Sequence, residues 1–252
     1  MLLKFKKYVC LFLFLVSGFS LFASSLDSLL FVLGNTDKPR ERIEILRSVF
    51  NQVLINDAEQ ALGFAQQELV ESTYLEDSLL EANAYLNIGL GFDYQNKFDS
   101  AVFYYLKAYD YFNDFNNYEG KARALLNVGI VSYFQGNYSG ALRQYFKVVS
   151  IQQDLGNENK LASVYSNIGV IYVAKKEYEK ALTYYNKSLQ MDKNQNDEEG
   201  IAKSYNNIGI VYRQLGNNAK ALKAYFMSLN YKLDRKSTRL NSSHQIISYA
   251  VF

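Results

Sequence analysis

The chain has 252 residues, 49% hydrophobic and 21% charged with a single proline, a balance that suits a folded helical protein and excludes a disordered one. Its formal net charge of +2 comes from its ends. Of 27 basic residues, three precede residue 26 and three follow residue 233; one of the 25 acidic residues lies in that tail, leaving 21 bases against 24 acids, about −3. Such a balance gives no electrostatic footprint for nucleic acid or an acidic membrane surface.

Residues 1–25 read as a signal peptide. Lys4, Lys6 and Lys7 precede an apolar stretch from Tyr8 to Phe22, and Ala23-Ser24-Ser25 offers the small residues that a signal peptidase accepts. The apolar run is too short for a comfortable membrane span, which ranks an uncleaved anchor second. The mature protein is therefore expected outside the cytoplasm, in the periplasm or cell envelope. Cys10, the only cysteine, sits in the signal, so cleavage leaves neither a disulfide nor a thiol nucleophile.

Residues 26–41 read as an N-terminal helix and linker: Leu26 to Leu33 is apolar, and Gly34-Asn35 and Lys38-Pro39 end it. Residues 42–81 have the helical spacing of a first, degenerate repeat through Ile43, Leu46, Phe50, Val53 and Leu54. Asp57 before Ala58 is expected to cap the second helix of that repeat.

From there one phrase recurs every 40 residues: Asn87-Ile88-Gly89, Asn127-Val128-Gly129, Asn167-Ile168-Gly169 and Asn207-Ile208-Gly209. Ala101, Ala141, Ala181 and Ala221 follow in phase, then Tyr105, Tyr145, Tyr185 and Tyr225. Such a period marks an array of supersecondary units, each needing its neighbours to bury an apolar face. Residues 82–121, 122–161 and 162–201 are three full repeats and 202–233 a truncated fourth. Each is read as a helix, a tight turn such as Gln135-Gly136-Asn137, a second helix, and a polar connector such as Asn113 to Asn117. A mid-helix glycine costs about 1 kcal/mol relative to alanine. Close approach of the paired helix at the small in-phase alanine is expected to offset it, with the tyrosines filling the space between repeats.

The period is lost after Leu233. Asp234 to His244 and Ile247 to Phe252 resemble a translated sequencing adapter, so residues 234–252 are expected to be an artefact and the gene to continue beyond Leu233.

The pattern of aromatic or leucine, Ile/Val-Gly, tyrosine, alanine, and tyrosine again resembles the tetratricopeptide repeat, in its longer 40-residue form with a lengthened connector. The resemblance covers about residues 42–233 and implies an all-α, right-handed α-solenoid of antiparallel helix pairs. Two departures stand out: Ser132 where Phe92, Tyr172 and Tyr212 supply an aromatic, and no proline closing any repeat.

No catalytic set is visible, since His244, the only histidine, lies in the tail and no phosphate loop or metal-ligand spacing occurs. No enzyme activity, cofactor or metal is expected in this stretch. Glu198 and Glu199 read as solvated, and the in-phase tyrosines as core. The resemblance puts the first helix of each repeat on a concave surface, where Asn87, Asn127, Asn167 and Asn207 would form a ladder of amides suited to a peptide backbone. The competing reading has these amides bonding neighbouring helices and fixing the stacking. Arg123, Lys203 and Arg213 share that face by spacing and suit an acidic or C-terminal carboxylate. The expected function is a non-catalytic scaffold binding a protein or peptide, with no nucleic acid. A second reading is the sensor region of a truncated membrane-anchored signalling protein, with membrane contact only through a transmembrane segment beyond Leu233.

Overall fold

The computed structural model describes the backbone over residues 26–249 and the side chains over 26–233; residues 1–25, read above as a signal peptide, lie outside the described residues, as do the side chains after residue 233. Among the described residues there are eleven α-helices and no strand. They are α1 (Leu26–Gly34), α2 (Pro39–Val53), α3 (Ala58–Tyr74), α4 (Ser78–Tyr94), α5 (Phe98–Asp114), α6 (Tyr118–Phe134), α7 (Tyr138–Asp154), α8 (Leu161–Ala174), α9 (Tyr178–Asn194), α10 (Glu198–Gln214) and α11 (Asn218–Tyr249). A 3-10 turn, Glu158–Lys160, leads into α8.

The frame comes from a period of half a repeat. Glu76, Asn96, Asn116, Gly136, Gly156, Lys176, Asn196 and Gly216 all have positive φ, each 20 residues after the last. At each, the following amide closes back on the helix just ended: Lys97 N–H donates to Phe92 O at 2.9 Å, Asn137 to Ser132 O at 2.8 Å, Glu177 to Tyr172 O at 2.8 Å and Asn217 to Tyr212 O at 2.9 Å. These bonds satisfy carbonyls that a helix end leaves orphaned. The next residue often caps the following helix: Asp77, Asn137 and Asp197 each accept an amide from the first turn with the side chain. Asp57 does so from Gln60, as its position predicts.

This geometry corrects one expectation. Except before α8, where a 3-10 turn intervenes, the connectors between repeats are no longer than the turns within them; the extra residues lengthen the helices, most of which run 17 residues. First helices also begin earlier than the repeat boundaries drawn at 82 and 202, at Ser78 and Glu198.

The chain divides into two compact units, residues up to Ala124 and from Leu125 onward. In the first, α2 packs on α3, α3 on α4 and α4 on α5; in the second, α8 packs on α9, α9 on α10 and α10 on α11. Turns of three or four residues reverse the chain between these helices, so the paired helices are antiparallel.

The repeated glycines have a different partner from the one expected. A Cβ on Gly89 would stand 2.6 Å from the ring of Tyr105, and on Gly129, Gly169 and Gly209 at 2.5, 2.6 and 2.6 Å from Tyr145, Tyr185 and Tyr225. The tyrosine sixteen residues on therefore lies against each glycine within one repeat, and Tyr185 also joins a buried cluster with Ile208 and Val211 of the next, between repeats as expected. The alanines Ala101, Ala141, Ala181 and Ala221 are buried, and at Gly89 the alanine's backbone joins the contact, through Ala101 O at 3.2 Å. In the degenerate repeat the sizes are exchanged: Val49 stands for the glycine and Ala65 for the tyrosine, both fully buried.

Ser132 is satisfied locally, its hydroxyl donating to Val128 O at 2.8 Å. Two of the aromatics that stand there instead are stacked: Phe92 on Tyr104 at 5.5 Å and Tyr172 on Tyr184 at 5.4 Å. Gln144 takes the place of that second ring in the Ser132 repeat.

Candidate functional site: polar positions on the first helices

In the first unit the polar positions are committed to one another. Glu68 of α3 is fully buried. Its carboxylate accepts from Arg47 Nε at 2.5 Å and from Asn87 Nδ2 at 2.7 Å. Burial pushes the Glu68 pKa up, and the Arg47 charge with the two hydrogen bonds draws it back only in part. Arg47 lies 40 residues before Asn87, in the same phase, so the amide series begins with a guanidinium. Arg123 lies at the surface and donates from Nη1 to Asn83 Oδ1 at 3.1 Å. Asn87 and Arg123 thus both serve intramolecular contacts here.

The second unit leaves two of the equivalent amides open. Asn127 on α6 and Asn167 on α8 are half-buried, and among the described residues neither amide has a hydrogen-bond partner. Asn207 on α10 donates to Ser166 Oγ across a long 3.4 Å. Lys203 pairs with Glu199 at 2.8 Å one turn earlier, and Arg213 is exposed at the end of α10.

Asn167 and Lys203 come together at the rim of a cavity of about 520 Å³ between α8, α9 and α10. Its floor is polar: Ser188 and Asp192 of α9 and Ser204 of α10. Asp192 is 5% exposed. Burial raises its pKa above the ordinary carboxylate value, and the Ser204 and Ser188 hydroxyls and the Lys203 charge oppose that rise while Asp197 adds to it.

The local sequence builds this floor. Gly200 in the first turn of α10 has no side chain where a Cβ would meet Asp192 Oδ1 at 2.5 Å. Gly120 does the same in the first unit, but there the residue it accommodates is Phe112, at 2.3 Å from the would-be Cβ. Lys160 stands at the corresponding place before α8, and the chain passes through a 3-10 turn there. Sequence reasoning missed Arg47, Glu68, Ser188, Asp192 and Ser204. The available signal was an alignment in phase, where Asp192 falls on the apolar position of Phe112, and Ser204 on that of Ala84, Ala124 and Val164.

The fold and its polar first-helix positions define an all-α helical-repeat protein. Residues 160–232 match the family described as tetratricopeptide repeat, and the described residues share the helical-repeat fold of that type. No curated protein matches the sequence. Among solved structures it is similar to BtubC from P. vanneervenii, at 18% identity over 85% of this chain and 89% of that one, with a TM-score of 0.71. It is also similar to a Rap protein complexed with competence and sporulation factor, at 16% identity over 83% and 69% of the chains and a TM-score of 0.65. A third is the Rap conjugation gene regulator of the plasmid pLS20 in complex with the Phr* peptide, at 16% identity over 82% and 58% and a TM-score of 0.65. At these identities the likeness is one of fold.

Proposed function

We propose that the chain is a protein-binding repeat scaffold that holds an extended peptide on the first helices of its second unit. One observation carries this reading: Asn127 and Asn167, in phase and half-buried, keep donors and acceptors uncommitted, whereas Asn87 is bound to Glu68. A primary amide offers two donors and a carbonyl oxygen, which matches the alternating groups of a peptide backbone. The peptide complexes among its structural neighbours support the same class of partner. No catalytic step enters this reading, and among the described residues no group of His, Cys, Asp and Glu is placed to hold a metal.

Selection of a random dodecapeptide phage library on the purified chain tests the proposal. A consensus peptide should emerge, and the double variant N127A/N167A should bind it about ten- to a hundred-fold more weakly at an unchanged melting temperature. Failure to enrich any peptide, or equal binding by a stable double variant, refutes it.

The basic and apolar N-terminal residues also support export. Mass spectrometry of envelope protein should find a mature terminus shortly after Ala23, and an intact Met1 on cytoplasmic protein excludes it.

A further inference from the structure

The Asp192 carboxylate at the base of the cavity has few committed donors. Ser188 Oγ donates its only proton to Ala162 O at 2.8 Å. Ser204 has one proton to give and stands 2.8 Å from Asp192 Oδ2 and 3.2 Å from Ser188 Oγ. Among the described residues, the carboxylate therefore has a single neutral hydroxyl as its committed donor. A buried ionised carboxylate normally requires a counter-charge or several donors. Glu68, the other buried carboxylate with a raised pKa among the described residues, has both a guanidinium and an amide. Two lysines, Lys160 and Lys203, also line the cavity; Lys203 is engaged with Glu199 at 2.8 Å and is 69% exposed.

The same place in the first unit is closed. Phe112 fills it against Gly120, whereas Asp192 against Gly200 leaves room for a ligand group and puts a negative charge at the bottom. The open volume of about 520 Å³ exceeds what one side chain needs, and its walls are polar, with Asn159, Ser163 and Ser166 beside the floor and Asp197 as a second carboxylate.

We propose that this cavity takes a basic side chain, arginine or lysine, of the peptide held by the second unit, its cationic nitrogen donating to the Asp192 carboxylate. The proposal rests on the scaffold reading and deepens it from backbone capture to side-chain selection. The group supplies what the floor lacks: a positive charge and more than one N–H. An arginine fork suits the carboxylate best, because it donates to both oxygens at once.

Titration of the full chain followed by amide NMR is the test. The probes are capped hexapeptides Ala-Ala-X-Ala-Ala-Ala with X as arginine, lysine, norleucine or glutamate, together with free spermidine. The arginine and lysine peptides should shift the amides of Gly200 and Ser204, and norleucine and glutamate should bind at least about ten-fold more weakly. D192N should reduce the arginine response about ten- to a hundred-fold. Asp192→Phe reproduces the arrangement of Phe112, so it should fold and should abolish the response.

Equal binding of norleucine and arginine, or undiminished binding by folded D192N and D192F, overturns the proposal. If phage-selected dodecapeptides bind D192N and D192F as they bind the parent but lose N127A/N167A, the scaffold reading stands and this one falls. If spermidine binds through Asp192 while no peptide binds, the cavity serves a free cation; the peptide assignment and the scaffold reading then both fall.

Discussion

The two units share a backbone frame and spend their polar residues differently. Each reverses direction every 20 residues through the same left-handed residue and the same back-turned amide. The first unit buries a carboxylate and neutralises it, Glu68 between Arg47 and Asn87, and plugs the cavity position with Phe112. The second buries Asp192 with one hydroxyl donor and leaves Asn127 and Asn167 without partners. Both begin from the same fold, so what separates a self-satisfied stretch from a receptive one is a handful of substitutions at phase-equivalent positions. A repeat frame allows this because each repeat draws its stability from its neighbours, so a local loss of packing is tolerated.

The largest expected effect tests the frame itself. Gly169→Val should cost about 3 kcal/mol or more in urea unfolding, since even its Cβ would stand 2.6 Å from Tyr185. The degenerate repeat indicates the remedy. Gly89→Val combined with Tyr105→Ala copies the Val49 and Ala65 pair, so the double variant should be less destabilised than the sum of its parts. Strict additivity would show that the glycine and tyrosine do not form one contact.

Next in size is the neutralised carboxylate. Arg47→Met leaves Glu68 buried with only an amide partner, and because Arg47 is itself 30% exposed the loss should be about 2 kcal/mol. Replacing both by Met should return most of it. A single variant as stable as the parent would mean that Glu68 is satisfied without its cation.

A pH comparison sharpens the contrast on the other side. The folded-state pKa of Asp192 is raised by burial, with Ser204, Asp197, Ser188 and Lys203 around it. The folded protein therefore holds that proton more tightly than the unfolded chain does. The stabilisation is fully present below the unfolded pKa and is lost as pH rises through the raised folded value. D192N should therefore melt above the parent at neutral pH, and the gap should shrink on acidification. A constant gap across pH would place the Asp192 charge in solvent.

The smallest effect concerns packing alone. S132F/Q144Y rebuilds the stacked pair seen at Phe92 with Tyr104, and should add about 0.5–1.5 kcal/mol in the same unfolding measurement. A loss instead would show that the neighbourhood of Ser132 has closed over the smaller residue.

By itself the sequence determined the helix pairing, the 40-residue repeat, the Asp57 cap and the glycine–alanine–tyrosine phase, because these follow from periodicity and local turn chemistry along one strand of chain. It also marked the asparagines as special without deciding their role. Only the tertiary structure decided that Tyr105 and not Ala101 is the main partner of Gly89, that the added length lies in the helices, and that Asn87 is bound while Asn167 opens onto a cavity. Asp192 illustrates the reason. Its neighbours Ser204 and Gly200 come from the next helix and Ser166 and Asn167 from the one before, so its burial and its missing donor arise from three helices meeting; one-dimensional spacing records the phase of each residue but not which partners arrive beside it.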